Sequence, residues 1–69
     1  MMVRINGKRE ETQETTLLDL LKARNIEPRM VTVELNSKMV DRSTLGQTSL
    51  REGDEIEFLF FMGGGGLFR

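Results

Sequence analysis

Only one stretch of this chain has helical periodicity, and it lies between segments that alternate like strands. The stretch is TTLLDLLKARNIEP, residues 15–28. Leu17, Leu20, Leu21 and Arg24 recur at spacings of three and four, so they share one side of a helix, with Leu18 near it beside Leu21. Thr16 is a good N-cap, and Asp19 three residues on completes a capping-box-like pair at the positive helix end. Lys22 and Arg24 fall in the last turns, where cations are favoured. Asn25 suits the left-handed position after a helix, Ile26 can fold back on it, and Pro28 blocks continuation. The spacing predicts a helix of about two to three turns. A sheet built from the rest of the chain has that one helix to cover it, on one face. The leucine side is therefore core rather than a docking stripe.

The strands follow from alternation and turn chemistry. Val3 and Ile5 alternate with polar neighbours, and Asn6-Gly7 then predicts a type I′ hairpin, because both central residues need positive φ. The polar segment from Lys8 to Gln13 reads as an edge strand whose charges discourage edge pairing. Val31, Val33 and Leu35 alternate with Thr32 and Glu34 in a third strand, followed by a turn at Asn36-Ser37-Lys38 and a short strand at Met39-Val40. Residues 41–49 read as a loop with one helical turn near Leu45, Leu50 as a core anchor, and Gly53-Asp54 as a turn. Asp41 and Arg42 either hold a partner or shape their own loop, and the second reading is preferred.

The last strand, EIEFLFFM, is less orderly. Ile56, Phe58 and Phe60 take one face; Glu57, Leu59 and Phe61 take the other. With one face covered by a helix, the other should be polar, yet Leu59 and Phe61 are apolar. Either they form an exposed patch of the kind that marks a partner site, or the 41–49 loop covers them.

Size and composition narrow the function. A chain of 69 residues is one domain. Domains of about 60 residues bury only about 60% of their unfolded surface, so a deep active site is hard to build. The net charge is −1 and there is no basic cluster, which argues against nucleic acid. No apolar run is long enough to span a membrane. The start, MMVRINGKREE, is charged from Arg4 on and unlike a secretory signal, so the cytoplasm is the expected location. Cysteine and histidine are both absent. That removes disulfides, thiolate nucleophiles, the usual zinc sites and the commonest acid–base residue. No catalytic and no metal-binding residue is assigned, and the plentiful carboxylates read as a solvated surface.

The chain closes on FMGGGGLFR, with Gly63 to Gly66 side by side. Glycine runs are commonly flexible linkers. This one, however, follows the last core strand with no polar spacer. An extended backbone without side chains can thread a narrow channel, and four glycines reach roughly 13 Å.

The order of elements, and the pieces that carry it, resemble a known family. Ile5-Asn6-Gly7-Lys8, Thr16-Leu17-Leu18-Asp19-Leu20-Leu21, Val33-Glu34-Leu35-Asn36, Val40-Asp41-Arg42-Ser43, Thr48-Ser49-Leu50, Gly53-Asp54-Glu55-Ile56-Glu57 and the glycine run stand in the order and spacing of the sulfur-carrier family of the thiamine and molybdopterin pathways, the ThiS/MoaD type. The ThiS branch is the closer. The resemblance implies an α+β, β-grasp (ubiquitin-like) fold: a mixed four- to five-stranded sheet with one main helix packed on one face, over residues 1–62. Residues 63–69 would be a flexible glycine-rich tail. It implies that a partner adenylating enzyme, using ATP and magnesium, activates the terminal glycine carboxylate, which then becomes a thiocarboxylate. The sulfur would pass to a thiazole synthase or another sulfur acceptor. The chain would be a protein cosubstrate, not an enzyme, and would bind no cofactor itself. The functional end falls best on Gly64 and Gly65, with Gly63 and Gly66 as register alternatives. Leu59, Phe61 and Met62 would meet the partner.

Members of this family normally end at the glycines, whereas Leu67, Phe68 and Arg69 follow here. Removal by a trimming peptidase is the favoured explanation, ahead of a lost carrier role or a cloning remnant. Two alternative functions stay open: a small subunit of molybdopterin synthase, and a ubiquitin-like protein modifier or interaction module.

Overall fold

Asn6 and Gly7 take φ of 51° and 82°, the positive values that a two-residue type I′ turn needs at both central positions. They join β1 (Met2–Ile5) to β2 (Lys8–Glu11) as an antiparallel hairpin. The structure, a computed structural model, describes residues 1–61.

The helix forms where its caps place it. α1 spans Leu17–Ala23, two turns. The hydroxyl of Thr16 accepts from the N–H of Asp19 at 3.1 Å, satisfying one of the free donors of the first turn. Asn25 has φ of 58°. The N–H of Ile26 donates to the carbonyl of Leu21, and that of Asn25 to the carbonyl of Lys22. This pair of bonds is the Schellman stop, with asparagine in the left-handed position. Arg24, at the helix end, forms an ion pair with Glu10 of β2.

A short 3-10 turn, Pro28–Met30, leads into β3 (Val31–Leu35). Asn36 and Ser37, again both at positive φ, turn the chain into β4 (Lys38–Val40). A longer 3-10 segment, Arg42–Gln47, precedes β5 (Glu55–Phe60). The strands lie in the order β2-β1-β5-β3-β4. β5 runs parallel to β1 and antiparallel to β3. This is the β-grasp arrangement that the element order predicts, with the polar β2 at one edge as expected.

The core sits between one face of the sheet and α1. Val3, Ile5, Val31, Val33, Ile56 and Phe58 come from the sheet, and Leu17, Leu20 and Leu21 from the helix. Leu45 and Leu50, from the long connection, complete it. The 3-10 segment packs on the helix side: a Cβ on Gly46 would lie 3.3 Å from the Leu18 side chain. Burying an aliphatic side chain is worth about 1.5–3 kcal/mol, so these few residues carry most of the stability available to so small a domain.

Candidate functional site

The chain leaves the sheet at the end of its central strand. β5 has β1 on one side and β3 on the other, and its exit is held by a backbone hydrogen bond of 3.0 Å from the N–H of Phe61 to the carbonyl of Met30. Two turn asparagines grip the same strand. Asn6 pairs through its side-chain amide with the backbone of Phe58. Asn36 accepts from the N–H of Glu55 at 2.9 Å and donates to the Asp54 carboxylate at 3.0 Å. Gly53, at φ of 85°, makes the turn into β5 and donates to the carbonyl of Met2. The strand that carries the tail is thus anchored at its start, its middle and its end.

Around the exit the surface is apolar. Leu59 lies opposite Thr32 and is 41% exposed. The 3-10 segment packs on the helix side of the sheet, and Leu59 is on the other side, so that segment cannot cover it. The exposed-patch reading holds for Leu59, while Phe61 beside it is half-buried. Of the residues expected to meet a partner, the structure thus brings Leu59 and Phe61 together. Met62, the glycines Gly63, Gly64, Gly65 and Gly66, and the tail beyond them lie outside the described residues.

Phe60 departs from the sequence expectation. Alternation puts it on the helix side with Ile56 and Phe58, yet it is 44% exposed. The seven-residue helix spans about 10 Å, whereas six residues of strand extend for about 20 Å, so α1 cannot reach the end of β5. Phe60 rests edge-on against Phe58 instead, with ring centroids 6.2 Å apart. Met30, whose carbonyl accepts from the N–H of Phe61, is exposed as well. Both belong to the apolar surface around the exit, and neither was marked by its sequence pattern. Comparing helix length with strand length was the available signal.

Two charged residues of the long connection, Asp41 and Arg42, are structural. Asp41 caps the 3-10 segment by accepting from the N–H and the hydroxyl of Ser43, and these bonds hold its pKa below the usual carboxylate value. Arg42 donates to the carbonyl of Pro28 at 3.2 Å. Both shape their own loop, as the preferred reading had it. Among the described residues no cluster of three or more carboxylate, histidine or cysteine side chains is placed to hold a metal. Among them, too, no helix is long and apolar enough to cross a membrane. The arrangement holds the end of β5 in place beside an apolar surface.

Known proteins are similar to this chain in sequence and fold. A thiazole synthase of Magnetococcus marinus is 39% identical over 66 residues, which cover 94% of this chain but 20% of that protein. The chain therefore spans about a fifth of the length of that relative. The sulfur carrier protein ThiS of Bacillus subtilis is 32% identical over 93% of this chain and 100% of its own. The crystal structure of the thiamine biosynthesis protein ThiS from Geobacter metallireducens superposes with a TM-score of 0.80 at 36% identity, covering 94% of this chain and 100% of that one. The sequence profile of the ThiS family matches residues 2–65. With all five strands, the helix and Gly63 to Gly65 within that match, the chain belongs to the ThiS family.

Proposed function

We propose that this chain is a sulfur carrier of thiamine biosynthesis, a protein cosubstrate whose chemistry takes place on a terminal glycine carboxylate. The observation that carries the reading is the family match, which spans residues 2–65, from the start of β1 to Gly65. It supports Gly64-Gly65 as the functional end, with Gly63 and Gly66 as alternatives. A partner adenylating enzyme, with ATP and magnesium, joins the carboxylate to AMP and releases pyrophosphate. A nucleophilic sulfide equivalent then forms the carbon–sulfur bond as the bond to AMP breaks, leaving a thiocarboxylate.

The residues present suit this division of labour. The sulfur is held on backbone carbon, so the absence of cysteine is no obstacle. Glycines let the end enter a narrow site, and the apolar surface of Leu59 and Phe61 gives the enzyme a place to dock. The occurrence of a similar segment within a thiazole synthase supports such an enzyme as the sulfur acceptor. Gly66, Leu67, Phe68 and Arg69 must be removed before the carboxylate of Gly65 is free, and a peptidase is the agent we infer.

The test is the intact mass of the protein from its native cells. The expected species ends at a glycine, with a fraction heavier by the difference between sulfur and oxygen. Protein found only with Arg69 in place, under thiamine-free growth, would refute the reading.

A further inference from the structure

Glu34 and Glu57 stand directly opposite each other on β3 and β5. Their neighbours Val33, Ile56 and Phe58 point into the core, so both carboxylates project from the uncovered face. Like charges in direct cross-strand register repel. Among the described residues neither has an ion-pair partner within 4.0 Å. Glu55 lies on the same face, two residues from Glu57, with Arg4 alongside it in the parallel register. These four line a shallow hollow of about 180 Å³ in which three carboxylates face one guanidinium.

This charge adjoins the apolar surface. Leu59 is the next residue of β5 on that face, about 7 Å from Glu57. A protein surface seated on Leu59 therefore also covers Glu57 and its opposite, Glu34. Covering an ionised carboxylate with no counter-charge costs more than the apolar contact returns. Arg4 stands beside Glu55 and forms no ion pair with Glu34 or Glu57 within 4.0 Å, so the occupant has to bring a cation of its own. Opposite residues in a hydrogen-bonded antiparallel pair lie about 5.5 Å apart at Cα, a gap one guanidinium fork can bridge.

We propose that Glu34 and Glu57 determine which protein docks on this face. The occupant is the adenylating enzyme of the proposed reaction, presenting an apolar hollow for Leu59 and, beside it, an arginine or lysine that seats between the two glutamates. The inference rests on the sulfur-carrier reading. Repulsion borne by the free chain is relieved in the complex, so the pair trades stability for recognition.

The experiment uses Glu34→Gln, Glu57→Gln and the double variant, in a chain ending at Gly65 that keeps every described residue. The probe is the host's own adenylating enzyme, recognised by ATP–pyrophosphate exchange that depends on the unaltered chain. The expected result has two parts. The urea midpoint of the free variants holds or rises, while their Kd for the enzyme weakens about tenfold at low salt and loses part of its dependence on ionic strength. An unchanged Kd would overturn the proposal, and so would a midpoint that falls in step with binding, since the pair would then be structural. If the unaltered chain supports no exchange, the carrier reading itself fails and this face loses its occupant.

Discussion

The side-chain amide of Asn6 binds both backbone groups of Phe58: Oδ1 accepts from the N–H at 2.7 Å, and Nδ2 donates to the carbonyl at 3.3 Å. β1 ends at Ile5, so this amide carries the pairing with β5 two residues beyond the strand itself. Replacing Asn6 by alanine removes two hydrogen bonds worth about 1 kcal/mol each and leaves a less tolerant residue at positive φ. The expected loss is about 2–3 kcal/mol, read as a lower urea midpoint at unchanged m-value. Asn6→Gly should recover only the backbone part. Equal stability for alanine and asparagine would show that the amide contributes nothing.

How much of this was legible beforehand depends on the range of the interaction. Asn6-Gly7, Thr16 with Asp19, and Asn25 before Pro28 act within a few residues of themselves, and each turn or cap lies where its chemistry predicts. The grip of Asn6 on Phe58 spans fifty-two positions, and the meeting of Glu34 with Glu57 needs a strand register that no local pattern specifies. Phe60 failed for a related reason. Alternation tells which face a residue takes, but whether that face is covered depends on where the helix ends. At the candidate site, Leu59 was recognisable because an apolar residue on an uncovered face conflicts with its surroundings.

Acid should loosen the connection before β5. The N–H of Ser43, then its hydroxyl, donate to the Asp41 carboxylate and hold its pKa below the ordinary 3.8, with Arg42 adding a smaller pull in the same direction. A pKa lowered by folding means stability that is fully present above the unfolded value and lost as pH falls through the folded one. The contribution is therefore intact at neutral pH and disappears below about 3.8. Asn is a comparable cap without the charge. Urea midpoints measured from neutral pH downward should fall less steeply below that value in Asp41→Asn than in the unaltered chain. Parallel curves would assign the acid sensitivity to other groups.

Leu59 should matter for docking and not for folding. It is exposed and on the face opposite the helix, so Leu59→Thr, which puts a strand-favouring β-branched residue in its place, should shift stability by no more than about 0.5 kcal/mol. Truncating an apolar anchor at an interface commonly costs 1 kcal/mol or more, so kcat/KM for adenylation should drop roughly tenfold. The effect should appear mainly in KM, because the residue touches the partner and not the reacting carboxylate. A variant adenylated as efficiently as the unaltered chain would remove Leu59 from the interface.

The position of the functional end can be read by shortening the chain one residue at a time. From Phe61, the last described residue, an extended backbone adds about 3.3 Å per residue, so Gly64, Gly65 and Gly66 would carry their carboxylates to successive depths in the partner's channel. A carboxylate displaced by about one residue no longer meets ATP in line, and misplacement on that scale costs on the order of a hundredfold in rate. Chains ending at Gly64, Gly65 and Gly66 should therefore show one sharp optimum in ATP–pyrophosphate exchange, at Gly65. The chain ending at Arg69 should be inactive, since Leu67 and Phe68 put bulk where the glycines offer none. Exchange supported equally by the Arg69 chain would mean that trimming is unnecessary, and that the partner accepts a carboxylate four residues beyond the family's own match.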